Sequence, residues 1–300
     1  MSLRLGAVGV IAILAVSVLH EYDEAGNCLQ GSISAYYFTN VQSVFVGALV
    51  ALGLVMIALW GKTPAEDGLL NLAGLLAPIV AFAPTGKPST CGLTGVTGDP
   101  VTTKAGTRDV VNASHEAVAN NLWSYLLVVG VAIGLLILLG IYAQGANKWP
   151  SITQHARSYW FPLAAAAVLY TYVVLKLHHD PEWAYRGAHK FAAFTMFGLI
   201  VFVVTVIAHQ KLRGITTFNE PPSRGWAITY GTLAIVMAGG LAALYFPAKH
   251  YGDSFYLHRV FWVEAWAIFW LAVFWGLQTF DRWKSGAPPR TETELGSLSG

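Results

Sequence analysis

The feature that most constrains this chain is a series of eight long apolar segments separated by short polar ones. A helix needs about 20 mostly apolar residues to cross the hydrocarbon core of a bilayer, and most of these segments approach or exceed that length. Polar, glycine-rich or proline-rich sequence ends each of them, as expected at helix termini. We therefore predict an all-α fold, a polytopic transmembrane helix bundle of about eight spans. The predicted spans lie near residues 5–19, 41–60, 68–83, 118–142, 159–177, 189–209, 226–246 and 257–280.

The composition agrees with an integral membrane protein. Of the 300 residues, 55% are hydrophobic and only 11% are charged, whereas soluble domains carry about 25% charged residues. The formal net charge of +2 is too small to indicate a nucleic-acid partner. The partner that the composition does predict is the lipid bilayer, and other membrane subunits are a further class of partner.

The distribution of charge predicts the orientation of the chain. If the N-terminus is cytoplasmic, the inner segments carry ten Lys or Arg and six Asp or Glu, and the outer segments carry eight and ten. Cytoplasmic loops are enriched in Lys and Arg, so this pattern favours an N-in, C-in arrangement. Residues 1–283 then form a single transmembrane helical domain with a long outer loop at 85–117. Residues 284–300 are polar and predict a flexible cytoplasmic tail.

The two cysteines of the chain fall on the same predicted side. Cys28 follows the first span and Cys91 follows the third, so both lie in outer segments. Two cysteines exposed to an oxidising compartment commonly form a disulfide. We predict a bridge between them, and two separate thiols are the alternative.

Histidine is concentrated on the predicted outer side, where seven of the nine histidines fall. Ionisable residues within or at the ends of spans often mark functional sites. The densest stretch, residues 176–190, holds three imidazoles and two carboxylates between the fifth and sixth spans. Together with the histidine that opens the eighth span, this stretch predicts one polar pocket that binds a metal ion, with zinc as the candidate. Its predicted ligands are His178, His179, His189 and His258. The alternative is an interfacial loop whose His, Trp and Tyr lie at headgroup level.

Glu264 is the clearest acid inside a predicted span. It lies about six residues into the eighth span, roughly 9 Å below the helix end at 1.5 Å per residue. A carboxylate at that depth is expected to face the bundle and to have a partner, with Lys176, Arg259 or a histidine as candidates. We predict Glu264 as a catalytic residue that transfers protons, and a structural ion pair is the alternative.

Two blocks of sequence resemble known families. The first is Ser-Ile-Ser-Ala-Tyr-Tyr at 32–37, followed by Val-Phe-Val-Gly at 44–47, and the second runs from Glu264 to Thr279. Both are similar to blocks in uncharacterised bacterial, actinobacterial-like multi-pass membrane proteins of the DUF998 and Frag1/DRAM/Sfk1-type groups. This resemblance implies the bacterial plasma membrane and brings no established activity. A more distant likeness is to the alkaline ceramidase and progestin/adiponectin-receptor hydrolases. It implies zinc chemistry, although their His-x-x-x-His pair has no counterpart here.

Three functional hypotheses follow from these patterns. The first is a metal-dependent hydrolase of lipid or envelope substrates, with a His- and carboxylate-lined site on the outer face. Its bound metal would activate water and Glu264 would move protons. The second is a non-enzymatic integral subunit or scaffold of a larger complex. The third is a redox protein that holds haem b between two histidines, for example His189 and His258, near a quinol site.

Overall fold

The fold is known from a computed structural model, which describes residues 2–83, 93, 101, 103–145, 152–215, 222–246 and 258–283. Within these residues the chain forms helices and no β-strand, which confirms the predicted all-α fold. A 3₁₀ turn lies at Ser34–Phe38. The helices are α1 (Ser2–Glu24), α2 (Gln42–Ala58), α3 (Pro64–Phe82), α4 (Lys104–Gly145), α5 (Ile152–His179), α6 (Trp183–Arg186), α7 (Ala188–Arg213), α8 (Arg224–Tyr245) and α9 (Arg259–Asp281).

The helices have the lengths that a membrane-spanning bundle requires. In the described part of the chain, seven of them are long and apolar enough to cross a membrane: α1, α3, α4, α5, α7, α8 and α9. The apolar helix α2 is shorter, at 17 residues. The protein is therefore a multi-pass membrane protein, and these eight helices correspond to the eight predicted spans.

Six of the helices form a closed ring. Neighbouring helices pack in the order α1, α2, α3, α7, α8 and α9, and α9 returns to α1. The helices α4 and α5 pair with each other and join the ring mainly through α3. The helix α3 is the most buried of the candidate spans, because it contacts neighbours on both of its flanks.

The start of α3 follows from local capping chemistry. The Thr63 side chain accepts a hydrogen bond from the backbone N–H of Glu66 at 3.3 Å, and Pro64 occupies the first turn. A proline N–H is not needed at that position, so the helix begins four residues before the predicted span.

The close approach of α2 and α3 depends on two glycines. Pro78 lacks an N–H and so leaves the carbonyl of Gly74, one turn earlier, without its helical partner. That carbonyl lies so near Gly53 of α2 that a Cβ on Gly53 would be 2.8 Å from the oxygen. A Cβ on Gly74 would in turn be 2.7 Å from the carbonyl oxygen of Gly53. Small residues allow membrane helices to approach this closely, so these two glycines set the contact between α2 and α3.

The prediction that the outer loop extends to residue 117 is wrong. Residues 104–117 belong to α4, which has 42 residues and is about 63 Å long at 1.5 Å per residue, well beyond the ~30 Å of a hydrocarbon core. The Thr103 side chain caps its first turn. Farther along, His115 stacks on Tyr185 with ring centroids 3.9 Å apart. The polar sequence alone does not predict this extension, because it packs against α6, a distant part of the chain.

Both ends of the transmembrane domain lie at the same end of the bundle. The side chain of Arg4 in α1 donates to the amide oxygen of Gln278 in α9 at 3.0 Å. An even number of spans produces this arrangement, in agreement with the predicted N-in, C-in parity. We call this end the terminal end and the opposite end the outer end. The predicted tail, residues 284–300, lies outside the described residues.

Candidate functional site

Glu264 lies near the outer end of the ring, against a buried turn. Residues 32–39 are all buried, and burial raises the pKa of Tyr36 and Tyr37 in this turn. The backbone N–H and the hydroxyl of Ser34 donate to the two carboxylate oxygens of Glu264 at 3.0 and 3.1 Å. The Glu264 side chain is 18% exposed. The carboxylate thus faces the protein, as expected at its depth, and holds the turn against α9.

His189 is the second predicted residue in this place. Its ring is buried, and Nε2 lies 3.6 Å from a carboxylate oxygen of Glu264. On the other side of the ring, Nδ1 lies 3.1 Å from the backbone oxygen of Val80 in α3. A carbonyl oxygen only accepts hydrogen bonds, so Nδ1 carries a proton and Nε2 faces the carboxylate. Of the partners considered for Glu264, the structure places a histidine beside it.

The other three predicted metal ligands lie apart from this pair. Nε2 of His258 lies 3.2 Å from the backbone oxygen of Leu29. His178 and His179 are exposed at the end of α5, where they contact each other edge to face. The prediction that α5 shares one pocket with α7 and α9 is therefore wrong. The helix α5 packs mainly on α3 and α4, whereas α9 packs on α1 and α8.

The donor set around Glu264 fits neither zinc nor haem b. Zinc sites use three or four protein ligands, and the described residues contain no group of three His, Cys, Asp or Glu that could hold a metal. The predicted four-histidine metal site is therefore not formed. A haem between His189 and His258 needs a ring nitrogen of each to face the iron. In His189 one nitrogen faces the carbonyl of Val80 and the other faces Glu264.

The predicted disulfide is covered only in part by the described residues. Cys28 follows α1, is half-buried and carries no free thiol. Cys91 lies outside the described residues, so the bridge between the two stays a prediction.

A buried charged cluster at the terminal end was missed from the sequence, because its acid was counted among the inner segments between the predicted spans. Glu66 of α3 is 1% exposed. It accepts hydrogen bonds from the guanidinium of Arg282, from the backbone N–H of Lys62 at 2.9 Å and from the amide of Gln278 at 3.3 Å. Gln278 in turn accepts from Arg4. The cluster therefore joins α1, α3 and α9.

The same end of the bundle holds a second ion pair. The Lys211 ammonium lies 2.6 Å from one carboxylate oxygen of Asp281, and the Tyr230 hydroxyl donates to the other at 3.2 Å. These contacts join α7, α8 and α9. A sequence signal for the cluster around Glu66 exists in the capping pair of Thr63 and Glu66. That signal predicts where a helix starts and does not tell which way the glutamate faces.

A lateral cleft runs between α2 on one side and α4 and α5 on the other, with α3 as its floor. Its volume is about 1030 Å³, at the upper end of the ~300–1,000 Å³ typical of ligand pockets. Its lining reaches along α3 from Thr63 to Phe82, which is about 28 Å at 1.5 Å per residue. Leu54, Ile57 and Val128 line it and are exposed. The cleft is therefore open sideways, toward the hydrocarbon of the bilayer.

The polar groups of the cleft are concentrated toward its terminal end. Thr63, Asp67 and Asn71 lie on successive turns of α3. Among the described residues that line the cleft, Asp67 is the only carboxylate, and Lys, Arg and His are absent. Two tyrosine hydroxyls in the lining, of Tyr125 and Tyr159, donate to backbone carbonyls of neighbouring helices. The cleft is thus apolar over most of its length and accepts hydrogen bonds at one end.

A second apolar cleft of about 800 Å³ lies on the other side of α5, between α5, α3 and α7. The two clefts are separated where α5 touches α3, at Pro162 and Gly68. A Cβ on Gly68 would be 2.8 Å from the proline ring, so the glycine sets this contact. The half of α5 that is nearer the terminal end of the bundle therefore has an apolar cleft on each of its two sides.

No protein-family model matches this chain, and neither a curated protein nor a solved structure is significantly similar to it. The resemblance of residues 32–37 and 264–279 to bacterial multi-pass families stays a prediction. What the chain does must be inferred from its own geometry.

Proposed function

We propose that this protein is a lipid-binding integral membrane protein that holds one long-chain lipid in the cleft between α2, α4 and α5. The observation that supports this proposal is the sideways opening of a long apolar cleft at membrane depth. This role agrees with the second function considered from the sequence, a non-enzymatic integral subunit or scaffold of a larger complex, and adds a bound lipid to it.

The shape of the cleft suits a chain-like molecule. Its lining follows α3 for nearly the thickness of a hydrocarbon core, and aliphatic side chains, prolines and aromatic rings make up most of its walls. A lipid tail enters such a cleft from the side without crossing the headgroup region. Its polar end then lies at the terminal end of the bundle, beside Thr63 and Asp67.

Filling the cleft with a side chain is expected to exclude the lipid. Ala132 of α4 lines the cleft and is exposed, so a tryptophan there occupies the cleft without entering the core of the ring. We expect Ala132→Trp to lower lipid retention roughly tenfold, equivalent to about 1.4 kcal/mol of binding free energy. The measurement is the yield of a photoreactive diacyl lipid cross-linked to the cleft in nanodiscs, mapped by peptide mass spectrometry.

The matched control for this variant is its neighbour in sequence. Val131 is exposed on α4 and lies outside the lining of the cleft, and Val131→Trp is expected to retain wild-type labelling. Equal cleft labelling in Ala132→Trp and wild type would contradict lipid binding at this place.

We also propose that the protein resides in the bacterial plasma membrane with its terminal end in the cytoplasm. The charge asymmetry of the loops supports this orientation, and it places Cys28 and Cys91 on the oxidising side.

Non-reducing peptide mapping is expected to find one cross-linked peptide that contains both cysteines. An oxidising compartment favours the bridge over two thiols, and Cys28 carries no free thiol. In the control variant Cys28→Ser, Cys91 should become open to alkylation. Alkylation of both cysteines in unreduced wild-type protein would refute the bridge.

A second candidate function uses the outer pair of Glu264 and His189. The specific observation is the 3.6 Å approach of the imidazole to the carboxylate, with the opposite ring nitrogen fixed on Val80. Such a pair can hold and pass a proton. This candidate keeps the predicted catalytic role of Glu264, and its test follows in the Discussion.

A further inference from the structure

Two polar side chains lie one helical turn apart in the lining of the cleft. Asp67 is half-buried, and one of its carboxylate oxygens accepts the backbone N–H of Gly61 at 3.1 Å. Asn71 also lines the cleft, and its amide oxygen is buried without a hydrogen-bond partner among the described residues. Residues four apart share one face of a helix, so both side chains face the same part of the cleft.

The unsatisfied acceptor favours a ligand that donates hydrogen bonds. A buried polar atom without a partner is costly. Rotation of the Asn71 amide about its last side-chain bond exchanges its oxygen with its nitrogen, so the oxygen can face the cleft when a donor is bound there. A hydroxyl in the cleft supplies the missing donor. An ether or an ester at the same place cannot donate and leaves the acceptor unsatisfied.

The charge of the lining selects against a phosphate group. The cleft offers one carboxylate and no cation among its described residues, so an anionic head is repelled rather than neutralised. Asn71 lies eight residues past the Thr63 cap, about 12 Å into the span at 1.5 Å per residue. A charged head is costly at that depth, whereas an uncharged hydroxyl that finds acceptors there is tolerated.

We infer that the lipid held in the cleft is an uncharged lipid alcohol of the diacylglycerol class. Its single O–H donates to the amide oxygen of Asn71, the carboxylate of Asp67 beside it disfavours an anionic head, and its chains lie along the apolar part of the cleft. This inference rests on the proposed lipid binding and adds the chemistry of the head group.

The test is a competition between lipids that differ only in the head group. Full-length protein in phosphatidylcholine nanodiscs is labelled with a photoreactive diacylglycerol, and the labelled peptides are mapped. Unlabelled dioleoylglycerol, its 3-O-methyl ether and dioleoyl phosphatidic acid compete with the label. We expect the alcohol to compete roughly three- to tenfold better than the ether, the effect of one hydrogen bond. Phosphatidic acid should compete least.

Two variants assign the head-group preference to the acceptors. Asn71→Leu has nearly the same size and removes the acceptor, so the preference for the alcohol over the ether should fall toward one while the protein remains folded. Asp67→Asn keeps an acceptor for Gly61 and removes the charge, so discrimination against phosphatidic acid should decrease. An unchanged preference in both variants would overturn the assignment to Asp67 and Asn71.

The outcomes separate this inference from the proposed function. Labelling in the cleft with equal competition by alcohol and ether would overturn the head-group inference and leave lipid binding intact. Stronger competition by phosphatidic acid would also overturn it, in favour of an anionic lipid. Absence of competable labelling in the cleft, together with identical labelling of Ala132→Trp, would overturn both.

Discussion

Replacing Glu66 by alanine is expected to lower the free energy of unfolding by about 3–5 kcal/mol, the usual effect of removing one member of a buried ion pair. Glu66 is almost completely buried and binds Gln278 of α9 and Arg282, which directly follows α9. Removal of the Glu66 side chain breaks the hydrogen bonds and the ion pair that connect α3 with α9 at the terminal end. Unfolding of the purified protein in mixed micelles, followed by tryptophan fluorescence, measures this effect.

The control for Glu66→Ala is Glu182→Ala. Glu182 also pairs with an arginine, Arg186, yet both side chains are largely exposed. An exposed pair contributes at most about 1 kcal/mol. If the two variants lose similar stability, the terminal cluster does not hold the ring together.

Replacing Glu264 by alanine is expected to destabilise the protein by about 1.5–3 kcal/mol, the range for hydrogen bonds to a charged group. The variant removes the acceptor of both Ser34 bonds and so loosens the buried turn from α9. Glu264→Gln keeps one acceptor oxygen and should lose less. The same unfolding measurement applies to both variants.

A double-mutant cycle with Ser34→Ala separates anchoring from general destabilisation. If the hydroxyl and the carboxylate act together, the two losses should differ from additivity by at least about 0.5 kcal/mol. Strict additivity of the two losses of stability would argue against a joint role of Ser34 and Glu264 in holding the buried turn against α9.

The Glu264→Gln variant also decides between anchoring and proton transfer. An anchor predicts lower stability and unchanged lipid labelling per folded molecule. A proton-transfer role predicts the opposite. Stability should then be nearly unchanged, and proton transfer per folded molecule should fall more in Glu264→Gln than in Glu182→Gln.

The positions of the spans were accessible from the sequence, because a membrane helix satisfies its backbone hydrogen bonds within its own segment. Hydropathy therefore locates α1 or α7 without reference to any neighbour. The inward direction of Glu264 was accessible for a related reason: a carboxylate at that depth must find a partner. Its particular donor, Ser34, was not, since it lies 230 positions away in the chain and is brought there only by the ring.

Facing directions and helix order were decided by the tertiary structure. Glu66 and Asp67 are adjacent and alike in sequence, yet successive residues point about 100° apart around a helix. One is buried against Arg282 and the other lines the lateral cleft. The histidines of α5 and α9 were expected to meet, and the ring order keeps them apart. Span positions depend on local transfer of residues into hydrocarbon, whereas sites depend on which helices pack together, and that is set by contacts between distant segments.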